Sequence, residues 1–224
     1  GIAFFDKQAL FDYTKMIEEA KKRDHRKLGT ELELFTFNDD VGAGLPMWLP
    51  NGARLRSKLE HLLYKAHRVR GYEPVRGPEI LKSEMWKISG HYANYKENMY
   101  FTTIDDQEYG IKPMNCVGHI QIFKNSLVSY KDLPKKLFEY GVVHRHEMSG
   151  AMHGLFRVRE FTQDDSHIFC TQDQIKDVIF EVLEFVDSLL NMFDFKYEIE
   201  VSTKTEKAIG DDILWEKTTA GIMD

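Results

Sequence analysis

The sequence of 224 residues predicts an α+β fold, a mostly antiparallel sheet flanked by helices. Short strand signals cluster in the middle of the chain as neighbours and hairpins, without the regular strand-helix alternation of a parallel sheet. Two of them, joined by the Gly-containing segment 148–156, read as one hairpin. The chain also contains neither a G-x-x-x-x-G-K-[ST] phosphate loop nor a G-x-G-x-x-G turn, so a doubly wound nucleotide fold is not expected. Any nucleotide must then be held by side chains.

Taken in order, Asp6 reads as the N-cap of a helix running to about Lys27, with Leu10, Tyr13, Ile17 and Ala20 on one stripe and Gly29 closing it. Residues 1–30 form an arm or linker helix and 31–224 the main domain. The Gly-, Pro- and Asp-rich segment 38–52 is a loop with a short strand at Met47 to Leu49. A helix from Ala53 to Arg70 is expected to bury Leu55, Leu59, Leu62, Leu63, Ala66 and Val69 and to end at Gly71. Two prolines make Tyr72 to Pro78 an edge or interface strand.

Ser83 is expected to cap a short helix through Ile88, and Gly90-His91 to begin a loop. Strands are expected near Asn98 to Thr103 and Glu108 to Ile111, joined at Asp105-Asp106, with a helix starting near Cys116 after Pro113. The hairpin follows, with strands at Val142 to Glu147 and Arg157 to Phe169. Thr171 and Gln174 form a capping box for a helix whose face holds Ile175, Val178, Ile179, Val182, Phe185, Val186, Leu189 and Leu190. Tyr197, Ile199 and Val201 alternate as a strand, and a last helical pattern lies around Ile213 to Lys217.

A net charge of -6 argues against a uniformly basic nucleic-acid module while leaving a local basic face open. Two cysteines, Cys116 and Cys170, are too few for a disulfide framework and point to a reducing compartment. No apolar run is long enough to span a bilayer, and Asp6 and Lys7 interrupt the first apolar stretch, unlike a signal peptide. A cytoplasmic protein with no membrane partner is expected.

The chemistry concentrates at 143–169. From Arg157 onward, Arg157, Arg159, Phe161, Gln163, Asp165 and His167 fall on odd positions, one face of a strand. With Arg145 they bring together guanidinium forks suited to phosphate or carboxylate, an aromatic face, an amide and a carboxylate able to bind an amine. Anion, ring and ammonium sites together suggest a substrate carrying all three groups. The competing reading makes the arginines a solvated face paired with Glu147 or Glu160, and Phe161 a core residue. Metal ligands stay open: Cys116-x-x-His119 is one pair, with His144, His146, His153 and His167 nearby in sequence.

These residues carry a resemblance. Arg23-Asp24-His25-Arg26-Lys27, Lys112-Pro113-Met114-Asn115-Cys116, His144-Arg145 with Glu147, Arg157-Val158-Arg159 and Phe161-Thr162-Gln163-Asp164-Asp165 followed by His167-Ile168-Phe169 make the chain similar to the catalytic core of the threonyl-tRNA synthetases, class II aminoacyl-tRNA synthetases, over nearly its whole length. The resemblance implies the class II catalytic fold and an ATP-dependent, AMP-forming ligase that joins L-threonine to tRNA(Thr). It implies a homodimer through Gly71 to Pro78, a zinc ion, Zn2+, and Mg2+ with ATP.

Position by position, Arg145 matches the arginine contacting the α-phosphate and the amino-acid carboxylate, and Glu147 the reader of the adenine amino group. Arg157 matches the residue at the terminal phosphate, and Phe161 the ring on adenine. Asp165 matches the carboxylate for the threonine ammonium, with Gln163 and Met114 beside that pocket. Cys116 and His167 match two zinc ligands, and His91 a histidine proposed to help transfer threonine to tRNA. Val117, Glu160 and Ser166 depart from the family's usual proline, glycine and alanine and leave these side chains intact.

The sequence stops at Asp224, before the family's third zinc-ligand histidine, its motif 3 arginine and its anticodon-binding domain. The expectation is an incomplete catalytic core whose isolated activity is impaired. A second reading is a non-catalytic synthetase-like module that binds ATP, tRNA or a dimer partner. A zinc hydrolase is disfavoured, since no His-Glu-x-x-His run supplies ligands and base together.

Overall fold

The computed structural model describes residues 2–205, 208 and 210–223. They fall into two compact units, one made of Gly1–Ser126 with Leu137–His167, the other of Leu127–Lys136 with Ile168–Asp224.

The first unit opens with α1 (Lys7–Lys22), whose N-cap Asp6 accepts the Ala9 N–H at 2.7 Å. The helix stops short of the expected Lys27 because Asp24 starts a second one, α2 (His25–Glu31), by accepting the Arg26 N–H at 2.8 Å. Gly29, expected as the closing residue, is buried inside α2. No residue of α1 is buried. A short antiparallel pair follows, β1 (Phe35–Thr36) with β2 (Met47–Trp48). The second lies where a strand is expected; the first is too short for its alternation to signal it.

Helix α3 (Pro50–Arg68) begins with proline in its first turn, where a missing N–H costs nothing, and the chain leaves it through Gly71 at φ 81°. Its expected stripe is not buried: Leu55, Leu59, Leu62 and Val69 are all exposed. Leu55, Leu59 and Leu63 instead line an open cleft of 460 Å³ with Trp48, Tyr140 and Val158. The helix is anchored at its far end, where buried His67 stacks on Phe138 with ring centroids 4.2 Å apart and donates from Nδ1 to the Leu63 carbonyl at 2.9 Å.

β3 (Glu73–Pro74) confirms the expected edge strand, running parallel to β7 (Lys135–His144) in a sheet ordered β3-β7-β8, with β8 spanning Glu160–Phe169. β4 (Ile80–Lys82) leads into α4 (Ser83–Ile88), where Lys82 and not Ser83 holds the N-cap position and Ser83 is buried. The expected loop at Gly90-His91 is a one-turn-scale helix, α5 (His91–Tyr95), which Gly90 starts at φ 80° with its carbonyl accepting the Asn94 N–H. β5 (Phe101–Ile104) and β6 (Gln107–Ile111) pair antiparallel through Asp105 and Asp106, both at positive φ as a tight hairpin turn demands, and β4 adds to the same sheet. Trp86, Met99 and Val117 form the core against this sheet, with Leu81, Met85 and Phe101 packed on them. α6 (Cys116–Lys124) starts at the expected residue.

In the second unit, the Thr171 N–H donates to Gln174 Oε1 at 3.0 Å, completing the expected capping box ahead of α7 (Ile175–Met192), which buries Val178 and Phe185. The alternating run Tyr197, Ile199, Val201 is not a strand. Its residues are exposed and no neighbouring strand among the described residues supplies a ladder, so alternation alone does not fix the backbone. α8 (Asp212–Met223) extends the pattern expected at 213–217. Pairing is thus mostly antiparallel among helices, an α+β arrangement. No described helix is long and apolar enough to cross a membrane.

The larger unit is tied together at Lys112, just past β6. Its N–H donates to the Glu79 carbonyl at 2.8 Å and its own carbonyl accepts from His144 at 3.0 Å, joining the flank of one sheet to the end of the other. Its Nζ meets Glu139 Oε1 at 3.3 Å, and both side chains are 3–4% exposed. Burial pushes the Glu139 carboxyl up, but His119, the Gly77 N–H and Lys112 outweigh it and hold the group below its ordinary range. Removing one partner strands the other charge away from water. Lys112→Met is expected to cost about 3–5 kcal/mol in urea unfolding; a loss below about 1 kcal/mol contradicts this account.

Candidate active site

The segment Pro113-Met114-Asn115-Cys116, which runs from just past β6 into the first residue of α6, carries the site. Each of its first three residues meets one of the expected functional side chains. Arg145 Nε donates to the Pro113 carbonyl at 3.2 Å, His91 Nε2 lies 3.4 Å from Met114 Sδ, and Asn115 Nδ2 donates to Asp165 Oδ2 at 2.9 Å. Cys116 feels Asp165 and Arg145 electrostatically: burial first, then the Asp165 charge, pushes its thiol up, with Arg145 opposing. The sequence marks Met114 and Cys116 as candidates, while the contacts to Arg145, His91 and Asp165 come from the fold.

Strand β8 supplies the floor. Phe161, Gln163, Asp165 and His167 share one face, as expected, and all are partly buried. The Arg145 guanidinium lies 5.0 Å from the Phe161 ring centroid, so cation and ring sit stacked at one end of that face. Asp165 lies about 13 Å along the strand from Phe161 at ordinary strand rise, a span that a small extended ligand can bridge.

Arg157 and Arg159 do not belong to this strand, which starts only at Glu160. The Arg159 N–H donates to the Gly44 carbonyl at 2.7 Å, and His153 and Arg157 form a local bridge, so 157–159 are claimed by loops on both sides. Likewise β7 spans Lys135–His144 rather than 142–147, leaving Arg145 and Glu147 beyond its end. There the Arg145 N–H donates to the Arg159 carbonyl at 2.9 Å, Arg157 Nε to Glu147 Oε2 at 2.9 Å and Arg159 Nε to the Glu147 carbonyl at 3.0 Å. The surface ion pair weighed for Arg157 is therefore present, with Glu147 as partner. It leaves Arg157 mostly exposed and Glu147 largely covered.

Sequence reasoning missed Asn115, which is 1% exposed and fixes Asp165. One signal for it is Gly141 inside β7: a Cβ there would stand 2.2 Å from Asn115 Oδ1, so glycine is the residue that lets the amide in. His119, named with Cys116 as a metal pair, is fully buried, its Nδ1 2.8 Å from His167 Nδ1 and its Nε2 3.4 Å from Glu139 Oε1. With the proton of His119 on Nε2, facing the carboxylate, Nδ1 accepts from His167, whose Nε2 keeps its lone pair. His144 pairs with Glu160 at 3.0 Å, and His153 lies beside Phe156.

Cys116 and His167 thus offer donor types that zinc takes, while no three His, Cys, Asp or Glu side chains converge as a metal site among the described residues. His91 accepts or donates at Nδ1 to Ser89 Oγ, 2.8 Å away, and burial holds its pKa below the ordinary histidine value. Apart from Phe161, none of the expected site residues lines the apolar cleft beside α3.

Residues 100–217 match the model of the tRNA synthetase class II core domain (G, H, P, S and T). The chain is 71% identical over all 224 residues to a threonine–tRNA ligase of Campylobacter jejuni and 68% identical over 224 to that of Sulfurovum sp.. In both cases it spans all of itself and 37% of the curated relative. Among solved structures it superposes on the RNA binding domain of threonyl-tRNA synthetase from Cryptosporidium parvum with TM-score 0.85 and 42% identity, over 90% of this chain and 50% of that one. It also superposes on a putative threonyl-tRNA synthetase from Aeropyrum pernix with TM-score 0.76 and 33% identity, over 87% and 48%. A prolyl-tRNA synthetase of Giardia lamblia, 18% identical at TM-score 0.67, shares the fold. With the family model covering more than half of its residues, this chain belongs to the class II tRNA synthetase core-domain family.

Proposed function

We propose that this chain is the part of a threonine–tRNA ligase that binds ATP and threonine and forms threonyl-adenylate. The observation that carries the reading is one face of β8 with Phe161 under Arg145 at one end and Asp165, held by Asn115, at the other. That is a ring site, an anion site and an ammonium site in line, in a chain 71% identical throughout to a protein named threonine–tRNA ligase.

In this reading adenine lies on Phe161 with its amino group toward Glu147, and the α-phosphate sits by Arg145. Arg157 reaches the terminal phosphate once it leaves Glu147. Asp165 holds the threonine ammonium, with Gln163 and Met114 beside it. The threonine carboxylate then attacks the α-phosphorus and pyrophosphate leaves. Arg145 opposes the charge that grows on the phosphate oxygens, an interaction stronger in the transition state than before it. Mg2+ accompanying ATP would shield the remaining phosphates.

Transfer to tRNA(Thr) follows when the terminal ribose hydroxyl attacks the carbonyl carbon and AMP departs, with His91 near that hydroxyl. Cys116 and His167 would help hold a Zn2+ ion, which would supply selection for an amino acid that offers a hydroxyl as well as its amine; valine has no such hydroxyl. The edge position of Glu73–Pro74 supports a homodimer through Gly71 to Pro78, and the absence of any buried residue in α1 supports a linker role for that helix. A translation enzyme of this kind acts in the cytoplasm.

The test is threonine-dependent pyrophosphate exchange, run on the 224 residues alone and within a chain of the relatives' length. Exchange in the longer chain, specific for threonine, supports the reading; a correctly folded chain of that length without exchange points to the non-catalytic binding module. Arg145→Ala is expected to lower the exchange rate by roughly 10²–10³-fold. For His91, the folded ring resists a proton that the unfolded chain accepts below the ordinary histidine value. Its stabilising contribution is therefore present above about pH 6.5 and lost as pH falls through the lower folded value. An NMR titration should find the His91 ring mostly neutral at pH 6.5; a half-protonated ring at or above that pH contradicts the assignment.

A further inference from the structure

Between Glu147 and Arg157 the chain makes a loop, and what holds that loop comes from far away in sequence. The Leu155 N–H donates to His25 Nε2 at 2.9 Å, across 130 positions. The imidazole is packed from two sides: its centroid is 4.6 Å from that of Phe156 in an edge contact and 6.3 Å from Phe35, nearly parallel. Next to it, Gly154 has φ 51°, and a Cβ there would fall 2.1 Å from His25 Nε2 and 3.0 Å from Arg26 Cγ. The loop backbone is pressed onto the ring with no room for any side chain between them. His25 itself is set by its place at the first position of α2, beside the cap Asp24, whose Oδ1 is 3.8 Å from Nδ1.

An Nε2 that accepts from a backbone amide carries no proton, so the ring is the Nδ1–H tautomer, with that proton on the Asp24 side. The loop is otherwise closed by Arg157 to Glu147, and those are the residues assigned to the nucleotide. When a phosphate takes Arg157 and adenine takes Glu147, that closure opens. The contacts that still tie the loop to its surroundings then include His25 with Leu155 and Arg159 with the Glu147, Gly44 and Ala43 carbonyls.

We propose that His25 is a positioning residue for the nucleotide: by accepting the Leu155 amide it holds the 148–156 loop so that Glu147 and Arg157 can release each other and bind ATP without the loop collapsing. The inference rests on the nucleotide reading of Glu147 and Arg157 given above. It concerns the acceptor nitrogen, not the bulk of the ring.

Two variants separate those properties. His25→Phe keeps an aromatic ring between Phe35 and Phe156 and lacks the acceptor; His25→Gln lacks the ring and offers an amide oxygen near the place of Nε2. On the 224-residue chain, amide hydrogen exchange at Leu155 and its neighbours 153–157 should speed up roughly tenfold in His25→Phe and return to within about twofold of the parent in His25→Gln, with β4, β5 and β6 unchanged. The dissociation constant for Mg·ATP should rise in His25→Phe by a similar factor and recover in His25→Gln, while that for threonine stays the same. The reverse pattern, Phe like the parent and Gln defective, or unchanged exchange in both, overturns the proposal. Should a folded chain of the relatives' length also bind no Mg·ATP, the nucleotide reading fails, and the exchange data still decide whether the His25 acceptor sets the loop.

Discussion

A buried ion pair sets the frame for everything else in the larger unit. Lys112 and Glu139 have left water almost completely, and the cost of that transfer is offset by their mutual attraction and by the further partners of Glu139. Glu139 accepts the Gly77 N–H at 3.0 Å and faces His119, while the backbone of Lys112 bonds both Glu79 and His144. The pair therefore gathers the edge segment after β3, the end of β6, the start of α6 and the middle of β7 at one point. An apolar pair could fill the same volume, but it would not specify which N–H and which imidazole must arrive there.

The functional segment begins at the next residue, and this is the reason its geometry is defined. With Lys112 fixed, Pro113 presents its carbonyl to Arg145, Met114 reaches His91, and Asn115 reaches Asp165. On its other side the pair holds His119, which orients His167. A charge-bearing floor strand is thus steadied at Asp165 through Asn115 and at His167 through His119, both side chains buried. Groups meant to meet a charged substrate need such prior placement, because reorganising dipoles during reaction forfeits most of what they contribute. The exposed end is different. Arg157 and Glu147 satisfy each other in the absence of a ligand, and their loop hangs from α2 and the Gly44 turn.

Much of this was legible from residue patterns. The period-2 register of Phe161, Gln163, Asp165 and His167 predicts the floor, the Thr171-Gln174 box predicts the helix start, and the paired aspartates predict the β5-β6 turn. The register failed at Arg157 and Arg159 because alternation continues past the point where the backbone is taken up by bonds to Gly44 and His153. The leucines of α3 read as core because amphipathic spacing reports that a face is apolar, not that something covers it. Tyr197 to Val201 failed for a related reason, alternation without a partner strand. Asn115 and His25 stand out in the sequence only as members of matching motifs and His119 only as a candidate metal ligand; their positioning roles are not legible locally because their partners lie 50, 130 and 48 positions away.

The central claim is that nucleotide and amino acid lie end to end along β8 between Phe161 and Asp165. Backbone amide shifts of the isotopically labelled chain, followed while Mg·ATP and then threonine are added, test it most directly. The account predicts saturable shifts at Arg145, Glu147, Arg157 and Phe161 with Mg·ATP, and further shifts at Asn115 and Asp165 with threonine. Saturable shifts confined to the α3 cleft around Trp48, Leu55 and Leu59, with none at Arg145 or Asp165, would contradict it.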